Sequence, residues 1–383
     1  MGIDFFDYTT LRFIWWLLLG VLLIGFAVMD GFDLGVGCLL PWVARTDLER
    51  RVTLNVIGPT WEGNQVWLIL GGGAIFAAWP MVYAVSFSGF YFAMLLVLFG
   101  LILRPVGFKY RSKMEQPAWK KIVDAALFLG GFLPALLFGV AMGNVIEGVP
   151  FHFDSSLRMF YTGTLWGLLN PFALLCGLVS LSMLIMHGGI YLAIKTDENI
   201  QQRAIRYAQI ACVLFIILFA VAGLWVAYDL QGYALNIPMI TEGASNPLHK
   251  SVSMHVGAWM LNYHQYPMLM LIPAIGFLTA ILTIILLQLK WHHMAWVTSA
   301  LSVASTIGTM GVSLFPFILP SSSDPNMSLM IWDASSSQTT LGIMLVATVI
   351  FMPIILAYTS WVYYVLRGKV TKSAIESNSK EVY

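Results

Sequence analysis

LRFIWWLLLGVLLIGFAVMDGFDLGVG, residues 11–37, carries no charge between Arg12 and Asp30. A helix needs roughly 20 predominantly apolar residues to cross a bilayer, so this stretch reads as a membrane span with a pair of acids toward one end. The whole chain has the same character. Of its 383 residues 59% are hydrophobic and 10% charged, with a mean hydropathy of +0.80, whereas soluble domains carry about 25% charged residues. So little charge cannot form a water-facing shell over 24 Phe, 14 Trp and 15 Tyr, and lipid must serve as the solvent. A formal net charge of +1 excludes an electrostatic nucleic-acid binder, which needs a positive surplus to neutralise phosphates. Cys38, Cys176 and Cys212 lie far apart inside apolar runs, which gives neither a disulfide framework nor a zinc site. The opening MGIDFFDYTT holds Asp4 and Asp7 but no Lys or Arg, the reverse of a signal-peptide start. The first span is therefore expected to stay in place.

Applied along the chain, the same ruler predicts an all-α, polytopic bundle of about nine transmembrane helices, a single integral membrane domain over residues 1–383. The spans fall at 14–39, 61–79, 81–103, 122–145, 163–194, 204–228, 267–289, 296–319 and 340–366. Basic residues are retained on the cytoplasmic side. With the C-terminus cytoplasmic and the N-terminus outside, the inner connections receive Arg45, Arg50, Arg51, Arg104, Lys109, Arg111, Lys113, Lys120, Lys121, Lys195, Arg203, Arg206, Lys290, Arg367, Lys369, Lys372 and Lys380. Only Arg12, Arg158 and Lys250 fall outside. A missed span would scramble that alternation, although eight spans with one re-entrant segment is the competing arrangement. Residues 229–266, with His249, His255 and His264, read as an ordered external loop. The stretch 320–338 reads as a polar cap ending at a helix N-terminus, where Asp333 and the serines satisfy backbone N–H groups.

The chemical signal lies in Asp30 and Asp33, three apart on one helical face, and in Glu62 of GPTWEGNQVW. A charged acid near mid-bilayer costs roughly 2.5–3.5 kcal/mol, so these groups must face protein, water or each other. A structural role would pair Asp30 and Asp33 with Arg45, Arg50 or Arg51 at the interface. A functional role would make the three acids a proton entry path, since a carboxylate deprived of hydration exchanges its proton near neutral pH. Glu62 favours the functional role, because Asn64 and Gln65 extend a polar stripe and Gly63 admits a close neighbour. Gly71, Gly72 and Gly73 read as close helix packing. His187 is the one histidine inside an expected span, and a lone histidine there reads as hydrogen-bonded packing rather than a haem ligand. Redox cofactors would then belong to another chain.

The stretch quoted above, GPTWEGNQVWLILGGGAIFAAWP from Gly58 and FSGFYFAMLLVLFGLILRPVGFKYRSK from Phe87 resemble subunit II of the bacterial cytochrome bd quinol oxidases. LNPFALLCGL from Leu169, ASNPL from Ala244, FPFILPSSS from Phe315 and LMIWDASSSQTTL from Leu329 carry the likeness almost end to end. It implies an inner-membrane subunit that ligates no haem itself. Its partner would be a larger subunit I holding haems b558, b595 and d, with a small single-helix accessory subunit, membrane lipid and a ubiquinone or menaquinone also bound. The assembly would oxidise quinol and reduce oxygen to water. The resemblance links positions matching Asp33 and Glu62 to cytoplasmic proton uptake and the position of Trp67 to oxygen access, while some relatives carry Asp in place of this Glu. The rival from another class is a secondary transporter whose buried acids bind a coupling ion.

Overall fold

The computed structural model describes residues 6–377, so Asp4 and Lys380 lie outside the described residues. The bundle begins with α1 (Tyr8–Val43), whose N-terminus is capped by the Asp7 carboxylate accepting from the Thr10 N–H. Its 36 residues extend about 54 Å at 1.5 Å per residue, well beyond the roughly 30 Å of hydrocarbon. An amphipathic α2 (Asp47–Ile57) follows, started by a capping box of Thr46 and Glu49. Then come α3 (Trp61–Ala78), α4 (Pro80–Gly89), α5 (Tyr91–Tyr110), α6 (Pro117–Glu147), α7 (Pro171–Lys195) and α8 (Glu198–Tyr228). The short α9 (Leu261–Gln265) precedes α10 (Leu271–Gln288), α11 (His292–Leu314), α12 (Gln338–Val365) and α13 (Lys372–Ser377).

Among the described residues eight helices are long and apolar enough to cross a membrane: α1, α5 to α8, and α10 to α12. The remaining expected span, 61–79, forms α3, which has 18 residues but loses apolar character to Glu62, Asn64 and Gln65 in its first turns. The expected span 81–103 is divided, because α4 stops at Gly89 and α5 restarts at Tyr91 and runs on to Tyr110. The span expected at 163–194 starts later, at Pro171, with Asn170 capping the helix. The one expected at 296–319 ends at Leu314 and gives way to a strand.

Three antiparallel hairpins follow the far ends of α6, α8 and α11: β1 (Phe151–Phe153) with β2 (Met159–Tyr161), β3 (Gln231–Leu235) with β4 (Val252–Val256), and β5 (Phe317–Leu319) with β6 (Leu329–Met330). They knit into one cap through the Val149–Ser321 bridge and the Tyr233, Trp259 and Phe317 rings, whose centroids lie 5.5–6.0 Å apart. His249, His255 and His264 form no metal-holding group among the described residues. The cap at 320–338 differs in detail from the expectation. Ser337 caps α12, while Asp333 accepts from the Met330 N–H and pairs with Lys250 at 2.6 Å. Burial pushes the Asp333 carboxyl above its usual range despite that ammonium.

Gly71, Gly72 and Gly73 do not serve close packing within this chain. Gly72 and Gly73 have nothing within 4 Å of an added Cβ, and for Gly71 the nearest atom is 3.9 Å away. The close contact lies between α1 and α7, where a Cβ on Gly35 would stand 2.0 Å from the Leu184 carbonyl oxygen and one on Gly188 2.7 Å from that of Phe32. Both obstacles are backbone and cannot rotate away. Gly35→Val should therefore cost about 2 kcal/mol or more through overpacking and lower the Tm of the purified protein in detergent, whereas Gly73→Ala should leave it unchanged.

Candidate functional site

Asp30 and Asp33 lie past the midpoint of α1, within reach of the Arg104 side chain of α5. The Arg104 guanidinium grips Asp30 through two bonds of 2.7 and 3.1 Å, and the same nitrogen that makes the shorter bond stands 3.9 Å from Asp33. The Asn64 amide of α3 donates to that same Asp33 oxygen, Oδ2, at 2.7 Å, and the Tyr363 hydroxyl of α12 donates to the Asn64 carbonyl at 2.7 Å. Asp30, Asp33, Asn64 and Arg104 are each at most 2% exposed. The other Asp33 oxygen has no hydrogen-bond partner. Asp33 and Arg104 also border a cavity of about 10 Å³ closed by Phe108, Leu127 and Gly131, about the room one water takes. Two carboxylates share one guanidinium here, so the cluster can accept one proton and keep its bidentate pair.

The acids are thus paired, but with none of the arginines expected at the interface. Arg50 pairs with Asp124, which also receives Arg111 at 2.5 Å. The expectation that puts Arg104 in an inner connection does not hold, although Pro105 follows it. The helix continues through that proline to Tyr110 and carries the guanidinium into the bundle. The demand of two interior acids for a cation at their own depth was the signal that could have found it. Tyr363, 299 residues from its partner Asn64, left no such signal.

Glu62 does not join this cluster. Exposed residues on α3 recur at Glu62, Val66, Ile69, Gly73 and Phe76, whereas Trp61, Asn64, Gly71, Ala74 and Ala78 are buried. That period places Glu62 on the open face and Asn64 on the inner one, so the expected stripe from Glu62 through Asn64 is split between two faces. Trp67 is half-buried, and its ring fills the space over Gly25 of α1, where a Cβ would come within 2.4 Å of it. His187 bonds through Nε2 to the Val28 carbonyl at 3.0 Å and through Nδ1 to the Ser299 hydroxyl at 2.7 Å, and it stacks on Trp296. Both ring nitrogens are thus engaged by groups of this chain.

A sequence profile of the family described as cytochrome bd terminal oxidase subunit II matches residues 11–366. The cytochrome bd-I ubiquinol oxidase subunit 2 of Escherichia coli K12 is 50% identical over 377 residues, which span 98% of this chain and 100% of that one. A probable cytochrome oxidase subunit 2 of Haemophilus influenzae is 48% identical over the same shares, and the cytochrome bd ubiquinol oxidase subunit 2 of Bacillus subtilis is 30% identical over 94% of this chain and 97% of its own. A chain in the solved bd oxidase of Geobacillus thermodenitrificans shares the fold, with a TM-score of 0.61 at 15% identity over 93% of this chain and 98% of that chain.

Removing Arg104 would strand two buried carboxylates. Arg104→Gln should cost about 3–5 kcal/mol, whereas the double variant Arg104→Gln with Asp30→Asn, which leaves no bidentate pair to break, should recover much of that loss. A double-mutant cycle on thermal stability reads the coupling.

Proposed function

The chain belongs to the family of cytochrome bd terminal oxidase subunit II, and from that premise we propose that it is the non-haem-ligating subunit of a quinol oxidase. It acts as one integral domain crossing the bacterial inner membrane many times, with its C-terminus in the cytoplasm. It pairs with a subunit I that carries haems b558, b595 and d, where quinol, either ubiquinol or menaquinol, is oxidised and oxygen is reduced to water. A small single-helix accessory subunit and membrane lipid complete the assembly. The engagement of both His187 nitrogens supports the assignment of haem to subunit I. Replacing His187 by Ala should therefore leave the haem spectrum of the assembled complex intact.

The observation that carries the proton role is the ratio of two buried carboxylates to one guanidinium at Asp30, Asp33 and Arg104. A proton binds and leaves there without disrupting the strong pair. Glu62 faces outward from the same helix that supplies Asn64, and lipid would penalise its charge. Subunit I is the neighbour that relieves the penalty, so the exposed stripe of α3 is the face it covers. Trp67 is turned about 140° from Glu62 at 3.6 residues per turn. It packs over Gly25 of α1, and the role assigned to it is to shape an apolar route for oxygen, which needs no hydrogen bonds. The transporter reading fares worse, because Arg104 already occupies Asp30, the carboxylate a coupling ion would need.

Glu62→Gln should depress turnover at saturating oxygen by about 10²-fold, the scale of a lost proton-transfer group, with little change in apparent oxygen affinity. Substituting Trp67 should act mainly at low oxygen. Wild-type turnover by an assembled Glu62→Gln complex, from about pH 6 to about pH 9, would make Glu62 a structural acid.

A further inference from the structure

We propose that the cleft at the α10–α11 turn binds the phosphate of an anionic glycerophospholipid headgroup. The cleft has a volume of about 310 Å³, lies where α7 ends and the chain leaves α12, and is lined by Gln201, Lys290, Trp291, His292, His293 and Lys369 among others. None of its lining residues is acidic. Its size falls at the lower end of small-molecule sites, about 300–1,000 Å³.

Several independent features favour a phosphate there. Lys369 is engaged by Asp197, but the Lys290 ammonium makes no hydrogen bond or ion pair among the described residues. The Nε2 atom of His292 is buried and has no hydrogen-bond partner. Lys290, His293 and Lys369 all bear electrostatically on that ring. Trp291 stands at the N-cap of α11 and supplies no side-chain cap, so first-turn N–H groups are free to bind an anion. The left-handed conformation of Lys290, φ +61°, belongs to the end of α10, where the Trp291 N–H bonds the Leu286 carbonyl at 2.9 Å, and is the backbone requirement a variant at this position has to meet.

The occupant is a lipid rather than free phosphate because the cations have an apolar rim. Trp291 is 62% exposed and Leu289 57%, the pairing of an interfacial tryptophan with basic residues that sits at headgroup depth. The acyl chains would lie along the outer face of α10, where Leu278, Ile281 and Ile285 are exposed.

Native mass spectrometry of the complex with subunit I tests this, with phosphatidylglycerol, phosphatidylcholine and inorganic phosphate as probes. Lys290→Asn removes the charge and suits the left-handed backbone, and His293→Gln, at an exposed position, serves should the first variant fail to assemble. Either variant should lose one phosphatidylglycerol from the wild-type distribution, with roughly 10-fold weaker retention, about 1.4 kcal/mol, while haem content stays unchanged. The proposal falls if the variants keep the wild-type distribution or if phosphatidylcholine is retained equally well. It falls too if excess inorganic phosphate displaces the phosphatidylglycerol, since the site would then take the free ion.

Discussion

An arginine and two aspartates have to be hidden from hydrocarbon together, and the relative placement of four helices follows from that. Arg104 of α5, a helix that packs chiefly on α6, can meet Asp30 only because its long side chain passes Gly130 of α6, where an added Cβ would stand 3.0 Å from the Arg104 Cγ. Asp33 then needs a donor, which α3 supplies as Asn64, and Asn64 needs one in turn, which α12 supplies as Tyr363. Apolar packing alone discriminates poorly between neighbours in lipid, because a leucine is as well solvated by acyl chains as by another helix. A directional polar chain discriminates well. The glycine contact of α1 with α7 then fixes the opposite side of α1 by shape rather than by charge.

What could be read from the sequence was what depends on composition and period. The apolar runs located the bundle, and the spacing of Asp30 and Asp33 put them on one face, where they are found. Partner choice was not legible, because it depends on depth, and depth depends on where helices end. A proline that did not stop α5 moved Arg104 from a connection into the interior. Gly71 to Gly73 carried the pattern of close packing, but on α3 they leave room beside them and only Gly71 reaches α1, at ordinary contact distance, while Gly35 and Gly188 stand backbone against backbone. Glu62 and Asn64, two residues apart, belong to different faces, since a separation of two on a helix divides neighbours.

The exceptions to the charge bias have a common explanation. Arg12 and Lys250, two of the three basic residues expected outside, are not exposed charges. Arg12 donates to Ser335 at 2.7 Å, to the Gly243 carbonyl and to Ser245 at 3.1 Å each, and to the Thr241 carbonyl, with Tyr8 beneath its guanidinium. Lys250 is paired with Asp333. These bonds tie the loop around residue 245 to the segment that starts α12, and α1 receives α12 through the Trp15 N–H on the Leu341 carbonyl at 3.0 Å. α12, largely exposed along its length, is thereby held by polar bonds at both ends, here and at Tyr363.

The 74 residues between Asp30 and Arg104 bear on how the chain is made. The acids emerge from the ribosome first and their cation follows, and at about 5–20 residues per second the delay is about 4–15 s. During that interval α1 has its apolar run complete but nothing with which to neutralise its inner end. Its first resting position must leave the aspartates in the headgroup layer or in the aqueous interior of the insertion machinery, and it can settle to its final depth only when α5 arrives. Insertion of α1 is in this sense completed by a later helix, so biogenesis follows the ion pair rather than the order of the chain.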